Sequence, residues 1–216
     1  MKKIYLSVLA ATMLFAACNN APKGETAEVS EEVEVTSTVA GETYNIDPNT
    51  STVSFEGATP SHSQTGSFRV GAGSINVDEG KVTGADITIK FDDVTITSEG
   101  MPDEEKEKLK GHLLNEDFFN TKVNKEVKFE TTKVSTIETD GEAPKTEIRG
   151  NLTMNGKTNN ITFPADITVA NGNVNAKASF VINRKDWGIV YGNDKSLGDK
   201  WIYDEVKMSF DITANK

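Results

Sequence analysis

The side chains of this chain that could do chemistry are few: two histidines, three arginines, one cysteine and several runs of carboxylates. His62 and His112 are too few to hold zinc without carboxylate help, and neither has helical or hairpin spacing to an obvious second ligand. His112 is expected to pair with a carboxylate or cap a carbonyl. The carboxylates Glu31-Glu32, Asp92-Asp93 and Asp103-Glu104-Glu105 are neighbours whose side chains point in different directions on strands and helices, so they read as solvated faces. The loop from Gly192 to Asp199 carries oxygen ligands without calcium-loop spacing. There is no Gly-x-Ser-x-Gly, no phosphate loop and no second thiol. No catalytic residue, metal or cofactor is therefore assigned; an enzyme would need His112 or Asp186 as a general base inside a cavity. Arg184 stands two residues after Ile182, which is phased inward. An inward arginine needs a partner, and either Asp186 or a polar ligand headgroup is expected to supply it.

The single cysteine has a context of its own. Lys2 and Lys3 form a charged n-region, Ile4 to Phe15 an apolar h-region, and Ala16-Ala17 a small-residue cleavage site just ahead of Cys18. The run is too short to span a bilayer comfortably, so residues 1–17 read as an export signal. The arrangement resembles a bacterial lipobox, which implies a diacylglycerol on the Cys18 sulfur and a membrane anchor. Phe15 stands where leucine is most common. Ordinary secretion with an incidental cysteine is the alternative. Asn19 after Cys18 resembles an outer-membrane sorting signal, so the expected location is the outer membrane, facing the periplasm.

Removing Lys2 and Lys3 with the signal leaves 21 of the 23 basic residues against 33 acidic ones, and the net charge moves from -10 to -12. Such a surface argues against nucleic acid and against anionic headgroups, so the acyl group is expected to hold the protein to the membrane. With no second cysteine there is no intrachain disulfide. Residues 18–41 carry five glutamates and no aromatic residue, and read as a disordered acidic spacer between the anchor and a folded domain over 42–216, with the alternation from Glu31 to Val35 as a short strand the lesser alternative.

From Tyr44 onward apolar and polar residues alternate. Val206, Met208, Phe210 and Ile212 alternate with Lys207, Ser209 and Asp211; Ile161 to Val169 and Val174 to Ile182 behave alike. Each is a strand with one dry and one wet face. Shorter runs around Val53, Phe68, Ile75, Ile87, Val127 and Ile148 bring the expected number to about eight or nine. The phase slips between Phe91 and Val94 and between Phe129 and Val134, which predicts bulges. Asn155-Gly156 and Asn171-Gly172 predict type I′ hairpins, with Glu79-Gly80 and Asp140-Gly141 punctuating similarly. Pro102 to Lys110 is predicted to be the one helix, acidic first and basic later. The fold class is thus all-β, an up-and-down antiparallel sheet that buries its dry face by closing into a barrel.

The segments Leu109 to Phe119, Val127-Lys128-Phe129, Gly150 to Thr158 and Asn183-Arg184-Lys185-Asp186-Trp187-Gly188 resemble the YceI-like lipid- and polyisoprenoid-binding domain family. Tyr44-Asn45-Ile46-Asp47 is similar to its opening strand. Gly66-Ser67-Phe68 resembles its next hairpin, and Tyr191-Gly192 with Leu197 to Val206 resembles a lipoprotein branch. The likeness spans about Tyr44 to Ala214. Asn124-Lys125-Glu126 departs from the usual Tyr-Pro, and Ser98-Glu99-Gly100 from another usual segment. The resemblance implies a lipocalin-like barrel of about eight strands with one short helix, holding a long isoprenoid chain inside.

Reading phase and size together, the residues expected around such a ligand are Phe55, Phe68, Phe91, Phe129, Met154, Phe163, Ala176, Ala178, Phe180, Trp187, Met208 and Phe210. Lys177, Lys207, Ser209 and Asp211 are expected to face water. Gly150, Ala165, Ala176 and Ala178 leave room on neighbouring strands, which favours a tunnel over a solid core. Trp187 would either line the cavity or close one end. Two functions follow: an anchored protein that sequesters or carries a polyisoprenoid, quinone or acyl chain, or an interaction module whose barrel its own side chains fill.

Overall fold

The computed structural model describes residues 20–35, 40–138 and 144–216, apart from the side chains of Asp92 and Asp93; the Asp140-Gly141 turn and Cys18 lie outside them. The strands are β1 (Glu28–Glu31), β2 (Glu42–Ile46), β3 (Thr52–Ala58), β4 (Ser63–Asp78), β5 (Lys81–Ile96), β6 (Glu126–Ile137), β7 (Lys145–Met154), β8 (Lys157–Ala170), β9 (Asn173–Asn183) and β10 (Glu205–Asn215). One helix, α1 (Asp103–Leu114), stands between β5 and β6. Each of β3 to β10 pairs antiparallel with the next, and β10 returns to β3, so eight strands close into a barrel. β2 continues the line of β3 between β4 and β10.

The hairpins form where the sequence predicts them. Asn155, Asn171 and Glu79 take positive φ of 51°, 52° and 47°, each followed by a glycine at 74° to 76°, as type I′ turns require. The irregularities also fall at the phase slips. The β4–β5 register shifts between Phe68 (opposite Val94) and Val70 (opposite Ile89), and the β6–β7 register shifts between Thr131 and Lys133. Both Phe91 and Val94 are consequently buried. α1 runs four residues beyond the predicted end at Lys110. Leu109 and Leu113, four apart and therefore on one face, pack onto the barrel interior and offset the cost of Gly111, about 1 kcal/mol.

The expected disordered spacer is instead partly ordered against the barrel. Toward the helix end, β8 and β9 diverge after the Asp166–Lys177 pair, and the N-terminal chain wedges between them. Glu28–Glu31 pairs antiparallel with β8 at residues 159–162. On the other side Ala27 N–H donates to the Val181 carbonyl and Val181 N–H to that of Glu25, at 2.9 and 2.8 Å. Ala27 is buried in the core cluster. Farther along, Val33 exchanges two hydrogen bonds with the Asn151 amide, at 3.1 and 2.6 Å. The segment is ordered by unpaired backbone on two splayed strands, which its acidic composition does not reveal.

Candidate functional site

The inward faces of β3 to β10 surround a cavity of about 340 Å³, within the range of small-molecule sites. Its wall is apolar except for Thr59, Gln64, Thr131 and Arg184. Three of those four lie at the helix end, where the β3–β4 turn, α1 and the loop after β9 meet. At the opposite end Tyr44, Ile46, Val77, Val174 and Ala214 are buried without bordering the cavity, and so plug it. The cavity therefore has an apolar floor and a mouth beside α1.

Of the twelve residues expected around a ligand, ten border this space: Phe55, Phe68, Phe91, Phe129, Met154, Phe163, Ala176, Phe180, Met208 and Phe210. Ala178 does not. It shares their face, opposite Phe210 in the β9–β10 ladder, but is only partly buried, just past the point where β8 and β9 cease to pair. Trp187 does not border it either. It is fully buried, and its indole N–H donates to the Leu152 carbonyl at 2.9 Å. The wet face is as expected, with Lys177 paired to Asp211 at 2.7 Å and Ser179 hydroxyl against Ser209 hydroxyl at 3.0 Å.

The sequence reading passed over the mouth. Leu109 and Leu113 of α1, Phe118 and Phe119 after it, and Ile189 and Ile202 of the β9–β10 loop all border the cavity. The i, i+4 spacing of the two leucines was the available signal. Two aromatic clusters shape the bore. Phe119 stacks on Phe91 at 4.4 Å and meets Phe68 edge-on, while Phe163 stacks on Phe180 at 4.3 Å and Phe129 leans on Phe163. Two glycines let rings lie flat. A Cβ on Gly66 would strike the ring of Phe55, its cross-strand partner, and one on Gly150 would strike that of Phe129. The room at Gly150 is thus already taken by a ring, which lies flat against the cavity wall.

Arg184 reaches the wall of the cavity, but its partner is not Asp186. Its guanidinium is buried and donates to the carbonyls of Tyr203 (3.0 Å), Ile189 (2.9 Å) and Ile202 (3.2 Å), with Asp204 at 3.7 Å. Burial pushes its pKa below the usual guanidinium value and Asp204 pulls it back up. Asp204 also holds Lys185 at 2.7 Å. The carbonyl of Asp186 instead accepts from the Asn159 amide. Arg184 therefore fastens the loop 188–204 over the barrel end.

His112 lies 3.3 Å from Asp117 and packs edge-on against Phe118 and Tyr191; His62 meets the Ser61 hydroxyl at 2.8 Å in an exposed turn. Asp194 accepts from the Ser196 N–H, which holds its carboxyl below the ordinary range and starts a 3₁₀ turn, Lys195–Lys200. Among the described residues no three His, Cys, Asp or Glu side chains come together to hold a metal ion. The two departures are built in: Asn124 donates to the Phe119 carbonyl and to Asn155, and the Ser98 hydroxyl donates to Gln64 at the mouth.

The model of the YceI-like domain matches residues 44–214, nearly the whole barrel. The chain belongs to the YceI-like domain family. Among curated proteins none matches it. Solved structures similar to this YceI-like domain include BcnA of Burkholderia cenocepacia, at 18% identity and a TM-score of 0.63 over 79% of this chain and 99% of the other. A polyisoprenoid binding domain from Saccharophagus degradans, implicated in plant cell wall breakdown, matches at 13% identity and a TM-score of 0.57, over 80% and 97%. The YceI protein of Campylobacter jejuni matches at 20% identity and 0.52, over 70% and 84%. These likenesses extend the shared fold across the barrel.

Proposed function

We propose that this YceI-like domain is a membrane-anchored carrier or store for one long apolar chain, a polyisoprenoid, isoprenoid quinone or acyl lipid, held in the barrel. The observation that carries this reading is the 340 Å³ cavity, walled by rings and aliphatic side chains, with its few polar groups gathered almost entirely at the mouth. That distribution suits a ligand whose chain is apolar and whose head stays near water. At about 0.8 kcal/mol per methylene, ten buried carbons supply roughly 8 kcal/mol before association costs, with no chemistry required. The similarity to a polyisoprenoid binding domain supports the same class of ligand. Export, cleavage before Cys18, acylation of that thiol and residence at the outer membrane complete the proposal, on the strength of the N-terminal sequence.

Native mass spectrometry tests the ligand: protein isolated from membranes should carry a single lipid of stoichiometric amount. Protein that is consistently empty and takes up neither polyprenyl nor acyl chains would contradict it. Cys18→Ser should shift the protein to the soluble exported fraction; unchanged membrane attachment would refute the anchor.

A further inference from the structure

We propose that the mouth of the barrel docks face-down on the lipid bilayer, so that a ligand passes between bilayer and cavity without crossing water. This rests on the proposed anchor at Cys18 and adds to it an orientation and a docking surface. The chain leading from the anchor is not a loose spacer. It is fastened in the β8–β9 seam at Ala27, and the Asn20 amide donates to the Pro60 carbonyl at 2.8 Å. Pro60 lies in the β3–β4 turn, next to Thr59, which borders the cavity mouth. With 3.8 Å between successive Cα atoms, the two peptide links that join Cys18 to Asn20 allow an anchor at Cys18 a reach of no more than about 8 Å from Asn20. An acyl anchor so short of slack brings this end of the barrel to the membrane.

The surface at that end suits a bilayer. Among the described residues the exposed large hydrophobic side chains are Val29 and Val33 on the N-terminal segment and Val123, Val190, Tyr191 and Leu197, the last four all in loops at the helix end. Val190, Tyr191 and Leu197 are 53%, 43% and 46% exposed. They belong to the loop that Arg184 pins, and its Ile189 and Ile202 line the cavity, so the apolar rim and the apolar interior are continuous. Lys195 and Lys200 flank Leu197 and can reach lipid phosphates while the apolar side chains enter the interface. The acidic net charge of the chain favours zwitterionic over anionic lipid.

Lysine footprinting decides this. The full chain is anchored in phosphatidylcholine vesicles through Cys18, by its own acyl groups or, where it is isolated without them, by coupling the thiol to a maleimide phosphatidylethanolamine. Acetylation by an amine-reactive ester is then followed by mass spectrometry. Lys195 and Lys200 should react at least threefold more slowly than in the free protein, while Lys81, at the opposite end, keeps its rate. Val190→Asp combined with Leu197→Asp, both at exposed positions, should restore the rates of Lys195 and Lys200. Unchanged rates at both ends, equal slowing at both, or protection that survives the double substitution would overturn the docking surface. Whether the isolated protein is acylated or carries a ligand is read from its intact mass, so failure of the anchor or of lipid binding is seen separately.

Discussion

Gly66 and Gly150 set the bore of the barrel by what they lack. Each sits under a phenylalanine ring, Phe55 and Phe129, at a distance no Cβ would tolerate, and a backbone carbonyl lies close on the same side. Gly150→Ala must therefore push the Phe129 ring into the lumen or part β6 from β7. We expect a loss of about 1–3 kcal/mol in urea unfolding, as for other overpacked cores, together with reduced ligand uptake; a neutral effect on both would show that the ring is free to move aside. Arg184 makes the opposite kind of contribution. Replacing it with Met leaves the carbonyls of Ile189, Ile202 and Tyr203 without their donor and takes from Asp204 one of its two cationic neighbours. A loss of about 3–5 kcal/mol is expected, measurable as a fall in Tm, and a Tm within a degree of the parent would contradict the fastening role. Ten of the twelve expected residues border the cavity, because alternation dictates which side of a sheet a residue faces. It could not choose Asp204 over Asp186, since Asp204 lies 20 positions beyond Arg184, at the far end of the β9–β10 connection. Nor could it tell that Ala178 lies where β8 and β9 part, which depends on how far two strands stay paired.

At the scale of elements, the N-terminal strand is the part least visible in the sequence. All four residues of β1 are exposed, so no hydrophobic period marks it, and its attachment is through backbone hydrogen bonds to β8. An apolar clue is Ala27, buried beside Val181. Ala27→Asp would place a carboxylate in that seam, and we expect the segment 20–35 to detach, with hydrogen exchange at the Val181 amide rising at least tenfold. Exchange that stays as slow as in the parent would mean that the seam is closed without the N-terminal strand. By contrast, the hairpins and the helix were legible, because Asn-Gly pairs and an acidic first turn act through local physics alone. The end of α1 was not, since Leu113 continues the helix by packing into the cavity mouth.

For the whole molecule, closure of eight strands follows from sequential hairpins and a continuous dry face, and it removes sheet edges. Whether the closed barrel is hollow turns on how its rings pack. Phe163, Phe180 and Phe210 fill one stretch, while Phe55 and Phe129, lying over glycines, leave another open. Ala176 borders the open stretch opposite Ile167 and Ile212. The most direct test of a ligand-holding barrel is a titration of the delipidated protein with an isoprenoid quinone, run in parallel on Ala176→Phe, whose added ring would occupy the space. Saturation at one quinone per chain is expected for the parent. Ala176→Phe should show no saturable uptake with a Tm close to that of the parent, because its ring enters a void and not a packed core. No saturable uptake by the parent, or uptake unaffected by Ala176→Phe, would contradict binding inside the barrel.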